Sequence, residues 1–298
     1  MKLYNKGIKP KIIILEWTEV VLLVPYIKKL FPESKIISIE EDVSFLGIYR
    51  KILYTKNILQ KKILSVHYNK LKKLELEALE CSDVVILNNY KDKKLIEKEG
   101  VKSKKIFLWA PFFENMCHLQ YKAKKNRIIF YGAMDRKENY LSVIWFIEKV
   151  MPLIADLDIV FEVVGNNPAP LLEKYKNNKV NILGYVDDIG KLFSESLCLV
   201  APLVLGAGIK VKILEAFSSG LPVLTNSIGI EGISAVNKRD FFYCEMPEDY
   251  ADTIRKIVQG KYDCQKISNS AQNFIKENYD LEKDANRFID LIDSLVSN

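Results

Sequence analysis

The stretch GAGIKVKILEAFSSGLPVLT, from Gly206 to Thr225, decides the fold of this 298-residue chain. A strand-like apolar run, Leu197–Ala201, precedes it, and a helical pattern follows from Ile209 to Ser218. Gly206 and Gly208 stand at the turn between the two. Lys210 and Lys212 fall in the first helical turns, and Glu215 comes three residues after Lys212. A helix N-terminus offers backbone N–H groups and the positive end of the helix dipole, so it favours an anion. Glycine lets that backbone approach a ligand without a Cβ in the way. Two ammonium groups suit a diphosphate, and Glu215, one turn along the same face as Lys212, can accept from hydroxyls. A diphosphate beside a pair of hydroxyls describes a nucleoside diphosphate. The same spacing also fits an ordinary strand, glycine turn and helix with solvated lysines.

Outward from that stretch, short apolar runs alternate with longer helical patterns, which predicts parallel sheets with crossover helices. In the first part the expected strands are Lys11–Leu15, Lys35–Ile39, Asp83–Leu87 and Lys105–Trp109. Helical pattern covers Thr18–Leu30, Phe45–Leu64, Asn69–Leu79 and Asp92–Glu99, with Pro25 expected to kink or shorten the first. In the second part the expected strands are Arg127–Tyr131, Ile159–Val164, Val180–Ile182, Leu197–Ala201, Pro222–Thr225 and Phe241–Cys244. Helices are expected between them over Asn139–Ile154, Pro170–Lys176, Asp188–Glu195 and Ile209–Ser218. Three more follow, one opened by Pro247. The polar, pattern-free segment Pro111–Asn126 is expected to link two domains, 1–115 and 127–298.

Composition narrows the class. A hydrophobic content of 49% with 28% charged residues is that of a soluble globular protein. No apolar run reaches the roughly 18 residues of a membrane span, and Glu16 interrupts the run Ile12–Leu15, which disfavours a secretory signal. Five cysteines lie far apart without a C-x-x-C pair, as reduced thiols of a cytoplasmic protein do. With His67 and His118 as the only histidines, a histidine-based metal site is not expected. Charge is uneven: residues 1–126 hold 25 Lys/Arg against 14 Asp/Glu, and residues 127–298 hold 19 against 24, so +11 and −5 sum to +6. The two halves should therefore have different partners, and the basic half lacks the interleaved aromatics of a nucleic-acid binder.

Gly206, Gly208, Lys212, Glu215, Ala216, Gly220, Pro222 and Val223 together resemble the donor signature of the "group 1" glycosyltransferases, the retaining family 4 with the GT-B fold. The resemblance extends through IIFYGAMDRKENYLSVIWFIEKVMPLI, FEVVGNNPAP, VNILGYVDDIGKLF and SIGIEGI, nearly everything after about residue 127. It implies two Rossmann-like doubly wound domains, the first abbreviated, and a helical tail that crosses back onto the first. It implies retaining transfer of a hexosyl-type sugar from a nucleoside diphosphate to a glycan or lipid-linked acceptor, in cell-surface polysaccharide or glycoconjugate synthesis. Lys212, Lys210 and the amides of Gly208 and Ile209 would stabilise the departing diphosphate, Glu215 would hold the ribose, and no metal or other cofactor is required. The family also places donor phosphates against Gly132, with an arginine directly after it; here Ala133 stands there, and Arg136 and Lys137 supply the nearest basic pair. A solvated basic loop is their other reading.

The turn Gly184-Tyr185-Val186 resembles the family's nucleobase contact, made through backbone. Uridine, guanosine and adenosine all fit such a contact, uridine being the family's commonest. Asp187 and Asp188 suit a helix cap, and Glu231 suits either a sugar hydroxyl or a structural turn bond. A second family glutamate would fall at Ala207 and is absent. In the first half, Glu41 and Asp42 follow the strand where many members carry a histidine. Glu41 is the catalytic candidate there, for a sugar hydroxyl or an acceptor proton, against the common exposed strand-end acid. The basic amphipathic pattern Phe45–Leu64 suits an anionic membrane surface at the inner face, or a surface helix with its apolar side on the sheet. The thin first half also leaves room for a silent nucleotide-binding subunit that acts with a partner chain. A sugar-nucleotide epimerase is disfavoured by the scarcity of histidine.

Overall fold

The computed structural model describes residues 7–124 and 126–297; the basic opening of the chain, residues 1–6, lies outside the described residues. The chain divides into two compact units. The first comprises Met1–Pro111, Ala207–Ile209 and Asp280–Asn298, and the second Phe112–Gly206 and Lys210–Tyr279.

In the first unit, β1 (Ile12–Glu16), β2 (Lys35–Glu40), β3 (Val84–Leu87) and β4 (Ile106–Leu108) form a parallel sheet in the order 1-2-3-4. Helices α1 (Thr18–Val21), α2 (Val24–Leu30), α3 (Ser44–Tyr54), α4 (Ile58–Cys81) and α5 (Tyr90–Lys98) connect the strands. All four residues of β3 are buried, the signature of a strand covered on both faces. One face packs Leu15, Ile36 and Val85 against Phe45, Leu79 and Ile96 from the helices. The other presents Ile37, Val84 and Ile86.

In the second unit, six parallel strands take the order β10-β9-β8-β5-β6-β7. They are β5 (Arg127–Tyr131), β6 (Val160–Val164), β7 (Val180–Gly184), β8 (Cys198–Ala201), β9 (Val223–Thr225) and β10 (Phe242–Tyr243). Helix α6 (Lys137–Lys149) follows β5, α7 (Ile189–Glu195) follows β7, α8 (Val211–Ser218) follows β8, and α9 (Pro247–Val258) and α10 (Cys264–Asn278) follow β10. The chain runs from β5 outward to β6 and β7, then returns to pair β8 with the opposite side of β5. That reversal opens a crevice at the carboxyl ends of β5 and β8, where doubly wound sheets bind ligands. Helix α11 (Leu281–Ser297) then joins the first unit, laying Phe288, Leu291 and Ile292 on the Ile37 face, with Phe288 stacked on Trp109 at 4.5 Å.

Several elements differ from the sequence pattern. The helix expected over Thr18–Leu30 is two, and Pro25 sits in the first turn of the second, where its missing N–H costs nothing. The amphipathic helix expected over Phe45–Leu64 breaks at Thr55–Asn57, because the Asn57 side chain accepts from Gln60 N and caps a new helix. That helix runs on to Cys81, absorbing the separate one expected from Asn69, so His67 lies inside it rather than at its start. Pro170–Tyr175 is a 3-10 turn, and α8 starts at Val211, two residues later than its pattern. Residues 112–124 and 126 carry no helix or strand, yet Phe113, Met116 and Tyr121 are buried, and Tyr121 Oη donates to Leu197 O at 3.0 Å. Cys81, placed near an apolar strand by its sequence, is exposed at the end of α4, whereas Cys198 and Cys244 are buried.

Candidate functional site

Three adjacent strands of the second unit end in glycine at the sheet's carboxyl edge: Gly132 after β5, Gly165 after β6 and Gly184 at the end of β7, with φ of 152°, 142° and 70°. Two of them are required by close approach. A Cβ on Gly165 would stand 1.7 Å from Gly132 O, and one on Gly132 would stand 2.6 Å from Lys212 Nζ. The edge is thus built to bring backbone and one lysine together.

Lys212 lies in the first turn of α8. Its Nζ donates to Asn139 Oδ1 at 2.6 Å and sits 4.5 Å from the centre of the Phe130 ring. Asn139, in the first turn of α6, is oriented by its other end, where Nδ2 donates to Ala133 O at 2.7 Å. The helices after β5 and β8 therefore meet over the crevice through one ammonium–amide hydrogen bond. Desolvation pushes the Lys212 ammonium down to about 7, and the charges of Lys210 and Arg136 add to the shift. The chain thus holds three cationic groups close enough to repel one another beside a glycine-lined edge.

Lys210 is the N-cap of α8, makes no side-chain cap bond, and lays its Cε 3.1 Å from where a Gly206 Cβ would stand. Arg136, the N-cap of α6, and Lys137, its first residue, are exposed; the Arg136 charge reaches Lys212, whereas among the described residues nothing ties Lys137 to the cluster. Glu215 is partly buried, which raises its carboxyl, while the backbone N–H of Glu114 donates to it and the Lys212 charge pulls the other way. Tyr131 lies near enough to feel the Glu215 charge, after burial the main cause of its raised hydroxyl. Tyr185 is 68% exposed beyond β7 with Val186 half-buried behind it, and Asp188 caps α7 by accepting from Lys191 N at 2.8 Å.

Gly208 and Ile209 are grouped with the first unit. Gly208 is buried with φ of 64°, and a Cβ there would stand 2.7 Å from Asp42 Cβ and 3.1 Å from Glu41 O. Glu41 Oε2 accepts from Asn88 Nδ2 at 2.9 Å, and burial raises its carboxyl against that donor, with Glu16 adding to the rise. Behind it, Glu40 is buried with Thr18 Oγ1 donating at 2.5 Å, and burial, with the Glu75 charge adding, raises its carboxyl well above the ordinary carboxylate range. Glu75 accepts from Ser44 N at 2.9 Å and Phe45 N at 3.1 Å, capping α3, while burial lifts it to about 8.

Sequence reasoning missed Asn139, Asn88 and Glu75. Asn139 had a signal, an amide in the first helical turn after a strand and glycine. Glu75, in the run ELEALE, is indistinguishable by pattern from its exposed neighbours Glu77 and Glu80. Among the described residues no group of three His, Cys, Asp or Glu side chains could hold a metal.

Residues 125–260 match the family described as "Glycosyl transferases group 1". An "Uncharacterized 44.6 kDa protein in cps region" of Klebsiella pneumoniae is 22% identical over 266 residues, covering 84% of this chain and 66% of that protein. The crystal structure of TarM matches with a TM-score of 0.73 at 16% identity, over 100% of this chain and 57% of that one. HepE of Anabaena, solved in complex with UDP, matches with a TM-score of 0.75 at 11% identity, over 98% and 81%. The chain therefore spans somewhat over half the length of TarM and about two thirds of the Klebsiella protein. At these identities the structural likeness establishes the fold, which is of the GT-B type.

Proposed function

Because residues 125–260 carry a segment of the group 1 glycosyltransferase type, we propose that this chain transfers a sugar from a uridine diphosphate donor to a hydroxyl acceptor with retention of configuration. The observation that carries the proposal is the Lys212 ammonium, held by Asn139 above Gly132 and pushed down to about 7. An anion beside Lys212 would offset the cost of keeping that charge buried. In the transfer, the bond from the anomeric carbon to the diphosphate breaks, the acceptor oxygen bonds that carbon, and its proton leaves. Lys212 and Lys210 neutralise the charge developing on the leaving diphosphate. Glu215, beside Tyr131, takes the ribose hydroxyls, and the Gly184–Val186 turn takes the base. Arg136 is the outer phosphate contact. In the first unit, Glu41, whose raised carboxyl is a stronger base than a free one, is the candidate to receive the acceptor proton.

UDP is favoured by HepE, which was solved with it, and a polysaccharide acceptor by the cps region named for the Klebsiella relative. The direct test is release of UDP from UDP-sugars by the purified chain, with Lys212→Ala and Glu41→Gln alongside. Release abolished by Lys212→Ala and lowered by Glu41→Gln at unchanged donor affinity supports the assignment. Donor binding without any release would make this a silent nucleotide-binding subunit instead.

A further inference from the structure

Helix α4 presents its apolar residues the wrong way round for a surface helix. Leu59, Ile63 and Val66 are spaced by four and three, so they share one face, and they are 68%, 61% and 70% exposed. Exposed Lys62, Lys70 and Lys73 flank the same stripe. The face that packs inward is carried by Tyr68, Glu75, Ala78 and Leu79 further along the helix. At the corner between α3 and α4, every residue from Lys56 to Ile63 is exposed, and Leu53 and Ile58 add 62% and 75% exposed side chains. An ordinary surface helix turns its apolar stripe to the core and its lysines to water. Here both are on the outside, in a patch of the kind that marks an interaction surface.

The charge pattern selects what covers it. No Asp or Glu occurs between Val43 and Lys73, a span that holds Arg50, Lys51, Lys56, Lys61 and Lys72 besides the lysines of the stripe, Lys72 being paired with Glu99 from further along the chain. A second copy of this chain would set that excess of lysines against itself. An anionic bilayer complements it: leucine, isoleucine and valine enter the headgroup boundary while lysine stems reach the lipid phosphates. Among the described residues no helix is long and apolar enough to cross a membrane, so the contact is one of lying on the surface.

We propose that the α3–α4 corner and the outer face of α4 form an anionic-membrane docking surface. It rests on exposure and charge alone and stands apart from the donor site.

The test is co-sedimentation of the full chain with phosphatidylcholine vesicles, with and without phosphatidylglycerol, as salt is raised. The parent should bind only the anionic vesicles and be released by salt. Lys61→Glu/Lys62→Glu should weaken partitioning about thirtyfold or more, because two lysines near the lipid surface are each replaced by a repelled carboxylate. Leu59→Glu/Ile63→Glu should abolish it at low salt. Lys174→Glu/Lys261→Glu, exposed in the second unit with the same change in net charge, should leave it unaltered. All four substituted positions in the first unit are exposed, so melting temperature and UDP affinity should match the parent and report that each variant is folded. Equal binding to neutral vesicles, binding indifferent to both first-unit variants, or concentration-dependent self-association abolished by Leu59→Glu/Ile63→Glu would each overturn the proposal.

Discussion

At the scale of single residues, Lys212 is a cation held where its charge is disfavoured. Its ammonium has one amide acceptor and one aromatic face, and burial beside Lys210 and Arg136 disfavours its charge. A lysine with its folded pKa below the unfolded one makes stability rise with pH between the two, so the charge works against folding below about 10. Lys212→Met is therefore expected to bind UDP ten- to a hundredfold more weakly, the scale of a lost charge-assisted bond, without lowering the melting temperature. A clear drop in melting temperature would instead make Lys212 a structural residue. The two glycines beneath it separate function from fold. In Gly132→Ala the new methyl meets the Lys212 ammonium and the Asn139 amide, side-chain ends that can give where backbone cannot, so UDP affinity should fall with a modest loss of stability, about 1 kcal/mol. In Gly165→Ala the methyl meets the fixed carbonyl of Gly132, and the protein should lose markedly more stability, as thermal melts of the two variants would show. Equal losses in both variants would refute this division.

At the scale of elements, the turn between β2 and α3 is fixed by carboxyl groups that arrive from elsewhere. Glu75 reaches from α4 to cap α3, and Glu40 ends β2 bonded to Thr18. Because the folded carboxyl of Glu75 titrates near 8 and an unfolded one near 4.5, the folded state binds the extra proton between these values. Stability should therefore fall as pH rises from about 4.5 to about 8. Glu75→Gln keeps an acceptor for the α3 cap and removes the titration, so its melting temperature should vary less over that range than the parent's; parallel curves would contradict the assignment. What the sequence made legible divides along the same line. Elements set by local chemistry stood out: strands of continuous apolar residues, Asp188 before α7, Pro247 opening α9. Those set by partners far along the chain did not. The break at Asn57 is made by one amide against a continuing helical pattern, and burial of Phe113 and Tyr121 in a polar segment follows from packing that no local pattern records.

At the scale of the whole molecule, the stretch Gly206–Thr225 announced a glycine turn followed by a helix carrying Lys212 and Glu215, and β8 and α8 flank that turn in the structure. It did not show that Lys212 is held by Asn139 from the helix after β5, since the two are 73 residues apart and only the strand order joins them. The stripe on α4 was legible only as one of two readings: the basic amphipathic pattern Phe45–Leu64 suits a membrane surface or a core-facing helix alike, and the exposure of Leu59 and Ile63 separates them. On the proposed function, Lys212 is partly neutral until it meets the diphosphate of a sugar nucleotide. Calorimetric titration of the full chain with UDP at pH 8, in two buffers of different ionisation enthalpy, tests it most directly. Binding should take up a proton, approaching about one per UDP as the ammonium is restored, and the uptake should vanish in Lys212→Ala together with most of the affinity. UDP binding without proton uptake, or with uptake unchanged in Lys212→Ala, would contradict it.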